Sequence, residues 1–202
     1  MRLHLRARLE SVPTVCRRWL VLYVPLATVV LGVSTVVGFA LGSAVPVDAI
    51  PMPEGAGGVF PPLTTVDIAV NNLVAMFVML LGAVSLGLMT LFALLLNGLL
   101  IGAVVGIALQ TLDPLVVLAL LVPHGILEIP AFLVASAVGL RFARLTVRYV
   151  RGLEADLVTR RDIREAGWLV AVSALLIVVA AYIEANVTIA LAERVAGGSL
   201  PV

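Results

Sequence analysis

Long uncharged apolar runs, parted by short polar or proline-rich segments, order this chain. Trp19 to Leu41 is 23 residues without a charge. As a helix that is about 34 Å at ~1.5 Å per residue, enough for one bilayer crossing. Gly42-Ser43-Ala44 follows it, but a signal-peptide core is only about 7–15 residues, so the run reads as an uncleaved first span. Residues 43–66 carry five prolines and three glycines and predict an extended loop. Ile68 to Leu112 then has no charge for 45 residues. That is about 67 Å of helix, twice a hydrocarbon core, so it folds back as two spans with a turn near Gly87–Thr90. Asp113-Pro114 ends the third span and opens the fourth, because proline suits a first helical turn. The fourth, Leu115–Leu140, is interrupted by Pro123 and Pro130, and Ala166–Ala190 is the fifth. The pattern predicts an all-α polytopic membrane helical bundle, a single domain over 1–202. Its five transmembrane helices lie at about 19–42, 68–88, 91–110, 115–140 and 166–190, the fourth of them kinked.

Between the last two spans, residues 141–165 place Arg141, Arg144 and Arg148 among Phe142, Leu145 and Tyr149 at helical spacing. This predicts a cytoplasmic amphipathic helix lying on the leaflet, its guanidinium groups on anionic headgroups. Arg2, Arg6, Arg8, Arg17 and Arg18 precede the first span, and seven more arginines lie within 141–165. Five crossings put these twelve of the thirteen arginines on one side. The positive-inside rule then predicts a cytoplasmic N-terminus, an outside C-terminus and a place in the cell membrane.

Composition agrees: 62% of the 202 residues are hydrophobic and 12% charged, against about half and a quarter in soluble domains. A net charge of +1 speaks against nucleic-acid binding. Cys16 is the single cysteine, so neither an intrachain disulfide nor a zinc-finger spacing is present in the sequence. No cofactor motif is found.

Two rows of small residues predict where helices meet: Ser34, Gly38 and Gly42 on the first span, and Gly98, Gly102 and Gly106 on the third. Such rows admit close backbone approach, either within the chain or across a homodimer. Ionisable groups at membrane depth are costly and mark candidate sites. His124 and Glu128 are i,i+4 on one helical face. Pro123 and Pro130 beside them leave the carbonyls of Ala119 and Ile126 without helical donors. Depth at ~1.5 Å per residue puts His124 about 14 Å and Glu128 about 20 Å below the outer boundary. The same arithmetic predicts a deep layer of His124, Glu128 and Asn97 and a shallow one of Asn71, Asn72 and Glu184. Three chemistries compete for these residues. Interhelical hydrogen bonds in a structural core lead, a His124/Glu128 proton or ion relay follows, and a metal site on His124, Glu128 and Glu184 comes third for want of ligands.

Several strings together resemble the stage II sporulation protein M (SpoIIM) family. They are Asn71-Asn72, Asn97-Gly98 with Gly102, Pro123-His124-Gly125-x-x-Glu128-x-Pro130-Ala131 with Gly139, and Ile183-Glu184-Ala185-x-x-Thr188, over about residues 68–190. The resemblance implies a small multipass protein of about five helices. In spore-forming bacteria the family member works with two peptidoglycan-degrading partners, while homologues also occur in organisms that neither sporulate nor engulf. The leading expectation is a non-enzymatic scaffold or assembly partner, in contact with the lipid bilayer and other membrane proteins. The alternative is a small transporter or channel, and the third a membrane-embedded metalloenzyme.

Overall fold

The computed structural model describes residues 14–47 and 64–198. The tail arginines Arg2, Arg6 and Arg8, His4 and most of the 43–66 loop lie outside them. The described residues form helices and no strand: α1 (Tyr23–Ala44), α2 (Thr65–Leu80), α3 (Leu88–Ala108), α4 (Pro114–Val150), α5 (Arg160–Ile183) and α6 (Ile189–Ala196). A helical stretch at 14–19 leads into α1. Five helices are long and apolar enough to cross a membrane: α1, α2 with its 3₁₀ extension to Ala83, α3, α4, and α5 continued through α6.

Local chemistry sets the boundaries. Thr64 caps α2 reciprocally with Asp67: its hydroxyl accepts the Asp67 N–H at 3.2 Å, and the carboxylate accepts the Thr64 N–H at 3.0 Å. A 3₁₀ turn at Leu81–Ala83 ends this span, and the chain reverses through Leu86 (φ 53°) and Gly87 (φ 92°). Gly87 tolerates the left-handed conformation because it has no Cβ. The reversal falls slightly earlier than the hydropathy pattern predicts. Asp113 caps α4 through the Leu115 N–H at 2.8 Å, with Pro114 in the first turn.

The separate interfacial helix expected at 141–165 does not form. Residues 141–150 continue α4, 160–165 open α5, and only 151–159 connect them. Nothing between Leu140 and Val150 breaks a helix: the stretch has no proline, no glycine and no capping sequence. A change from apolar to arginine-rich composition alters what surrounds a helix without ending it.

The small-residue rows of α1 and α3 pack against one another. A Cβ on Gly38 would strike the Leu99 carbonyl, one on Gly42 that of Ala103, and one on Gly102 that of Thr35. Gly98 lies against Ser34 and the Leu31 carbonyl, and Gly106 against the Phe39 carbonyl. The bundle's core draws from every span, with Leu31, Met79, Leu94, Phe132 and Ile177 in one cluster. Large apolar side chains such as Val29, Val36, Phe77, Leu100 and Leu175 are exposed on the outer faces. In water they would be a liability; in lipid they are the required surface.

Candidate functional site

A cavity of about 370 Å³ opens between α2, α4 and the end of α5, lined by Asp67, Ile68, Asn71, Asn72, His124, Glu128 and Glu184. Helical spacing explains its walls. Asp67 and Asn71 are one turn apart on α2, with Ile68 and Asn72 beside them, and His124 and Glu128 are one turn apart on α4. Glu184 arrives from α5 at a different kind of feature. Residues Glu184–Thr188 form a π-helical turn between α5 and α6. The Thr188 hydroxyl donates to the Ile183 carbonyl at 3.2 Å across this wider turn and lies 3.5 Å from His124 Nδ1. Such bulges recur at functional sites in helices. On the rim, Asn186 donates to the Thr65 hydroxyl at 3.1 Å and ties the turn to the start of α2.

His124, Glu128 and Glu184 each offer a ligand atom within 4.8 Å of the others, and all three side chains are half-buried. The Asn71 amide donates to Asn72 Oδ1 at 3.1 Å, and Asn72 is 8% exposed. Thus one cavity gathers residues that depth arithmetic assigned to two layers. Asn97 is not among its lining residues; its amide donates to the Ala93 carbonyl of its own helix at 2.8 Å.

Toward the middle of the bundle the residues that follow the cavity's walls are apolar and buried. One turn beyond Asn72 on α2 is Met76, one turn beyond Glu128 on α4 is Phe132, and two turns before Glu184 on α5 is Ile177. These residues are 6%, 1% and 0% exposed and share one apolar cluster. The polar walls therefore end on a close-packed floor.

At the arginine-bearing end lies a second polar grouping, which the sequence reading missed. Arg18 pairs with Asp162 and, at 3.3 Å, with Glu165. Arg141 pairs with Asp162 at 3.5 Å, donates to the Arg18 carbonyl at 2.9 Å and stacks over Trp19 at 4.6 Å. The Trp19 indole donates to Glu165 at 2.8 Å. Asp162 and Glu165 sit on the charged turns before the uncharged run of α5 that starts at Ala166. Burial alone would push the Asp162 carboxyl up; the Thr159 hydroxyl and backbone N–H, then Arg18 and Arg141, outweigh it and hold the group below the usual carboxylate range. For Glu165 burial also pushes up, and Arg161, the Trp19 indole and Arg18 prevail. A smaller cavity of about 220 Å³ beside this knot is lined by Tyr23, Arg141, Arg144, Leu145, Arg148 and Glu154. The acids were legible as i, i+3 on a helix start, but nothing local tells which arginines they meet.

The family model of Stage II sporulation protein M matches residues 27–189. The chain is also 36% identical over 123 residues to an uncharacterized protein of Methanocaldococcus jannaschii, a match covering 60% of this chain and 69% of that one. No solved structure matches it.

Proposed function

The chain belongs to the stage II sporulation protein M family, and on that premise we propose that it acts by binding, as a non-enzymatic scaffold or assembly partner in the cell membrane. The observation that carries this reading is the apolar floor beneath the polar cavity. A conducting path has to continue past Glu128, where Met76, Phe132 and Ile177 are packed together. A binding site needs only the cavity and its mouth. We further place the N-terminus in the cytoplasm, because twelve of thirteen arginines flank the same ends of the spans. In that orientation the cavity faces outward, and Arg144 and Arg148 meet the anionic headgroups of the inner leaflet.

Crosslinking in native membranes tests the scaffold reading: a discrete adduct with another membrane protein is expected. Flux is the complementary measurement. Purified wild-type protein in proteoliposomes is expected to carry no proton or cation current above empty vesicles. Current that Glu128→Gln or His124→Ala abolishes, in protein that stays folded, would replace this reading with the relay. What favours the relay as a second reading is the grouping of His124 with two carboxylates in one cavity.

A further inference from the structure

We propose that His124, Glu128 and Glu184 bind one divalent transition-metal ion, with zinc the preferred occupant. The proposal names a ligand for the cavity on which the binding reading rests. Three facts about the site carry it. First, one imidazole nitrogen and two carboxylate oxygens already lie within 4.8 Å of one another, drawn from α4 and the π-turn that follows α5. Rotamer adjustments of about 1 Å bring such a set to the ~2.0–2.2 Å metal–ligand distances of a zinc site, with a coordination position left for water.

Second, the charge in the cavity is unmatched. Apart from His124, neither Glu128 nor Glu184 has a basic residue beside it, and neither accepts a hydrogen bond among the described residues, although both are half-buried and adjacent. At the other end of the molecule Asp162 and Glu165 are matched by Arg18, Arg141 and Arg161. Two neighbouring carboxylates withdrawn from water repel and need a cation or a shared proton between them. Asp67, on the facing wall, adds a further acid and no base.

Third, the histidine is set to ligate. The Thr188 hydroxyl donates to the Ile183 carbonyl at 3.2 Å and lies 3.5 Å from His124 Nδ1, where its oxygen is free to accept a ring N–H. In the tautomer that carries its proton on Nδ1 toward Thr188, the ring leaves the Nε2 lone pair for a metal. Such an outer partner is what orients ligating histidines generally. Imidazole with two carboxylates suits zinc, manganese or iron, and the nitrogen ligand disfavours magnesium and calcium, which take oxygen.

The test uses the full chain purified in detergent without a polyhistidine tag. Zinc is titrated by calorimetry and by thermal unfolding, with magnesium and calcium in parallel. Wild type is expected to bind one equivalent of zinc, with a raised Tm, at least about 100-fold more tightly than magnesium. His124→Ala is expected to lose that preference. Glu128→Gln and Glu184→Gln are expected to weaken zinc by about 100-fold or more while keeping the unliganded Tm, since each removes carboxylate repulsion. Cobalt added to wild type supplies a signal that needs no variant: visible d–d absorption that one equivalent of zinc displaces. Substoichiometric zinc, an unchanged Tm, equal affinity for magnesium, or glutamine variants that bind like wild type would each overturn the site. Those results leave the crosslinking and metal-free flux measurements standing, so loss of the metal is distinguishable from loss of the scaffold reading.

Discussion

Thr90, Ser136 and Ser173 are small hydroxyls buried in the bundle, at 0%, 0% and 1% exposure, and they are not equivalent. Thr90 donates to the Met79 carbonyl at 2.6 Å, whereas the Ser136 and Ser173 hydroxyls have no partner among the described residues. An unmatched buried hydroxyl costs about 1–3 kcal/mol, and a made hydrogen bond returns about 1 kcal/mol. Ser136→Ala and Ser173→Ala are therefore expected to leave stability unchanged or raise it, and Thr90→Ala to lower it by about 1 kcal/mol. Unfolding in detergent micelles measures all three, and a Ser136→Ala loss as large as that of Thr90→Ala would contradict the assignment. Gly98 and Gly102 make the opposite kind of residue-scale demand. A Cβ on Gly102 would meet only backbone of α1, and one on Gly98 would meet the Ser34 side chain and the Leu31 carbonyl of the same helix. Gly102→Val cannot be relieved by a rotamer and should separate α1 from α3, costing about 1–3 kcal/mol or more in the same assay. Gly167, with open space around it, is the matched control and should tolerate alanine.

At the scale of elements, the spans were legible because a crossing needs about 20 apolar residues whatever they pack against. What composition did not convey was where a helix goes on being a helix. The arginines of 141–150 looked like a new interfacial element, yet they extend α4 toward the knot in which Arg18, Arg141, Asp162 and Glu165 join three parts of the chain. Hydropathy reports the surroundings, while breakers and caps report continuity, and this stretch has neither. The knot has a pH signature. Asp162 and Glu165 are held below their ordinary values in the folded chain. They therefore add stability above the ordinary carboxylate range, and that stability is lost as pH falls through and below it. Denaturant unfolding in micelles should show a midpoint that drops between about pH 5 and pH 3. Arg18→Gln should flatten this dependence, because Arg18 faces both acids. A wild-type midpoint that stays level or rises across that interval would mean the knot does not form as an ion pair.

For the whole molecule, height and azimuth had different fates. Rise per residue places a side chain along the membrane normal and says nothing about which way it points around its helix. Asn97 shares a depth with Glu128 by that arithmetic, but the next residue, Gly98, faces α1, and Asn97 turns back to its own backbone. Glu184 joins His124 and Glu128 because α5 returns alongside α4 and ends in a π-turn, and no local spacing announces such a turn. The apolar floor is likewise a property of the assembled bundle: Met76, Phe132 and Ile177 are ordinary residues of apolar runs until three helices bring them together. That floor makes a prediction that separates a pocket from a path. In a Cys16→Ser background, single cysteines at Asn71, His124 and Glu128 should react with a membrane-impermeant thiol reagent applied from the outer side. Cysteines at Phe132 and Ser136, 1% and 0% exposed on the same helix, should resist it from either side. The gradient along α4 is the readout: a pre-denatured sample of each variant gives its full labelling, and only variants that keep the wild-type unfolding midpoint are compared. Reaction at Ser136 from the outer side in folded protein would mean that water passes the floor, and the cavity would then be the entrance to a route through the membrane.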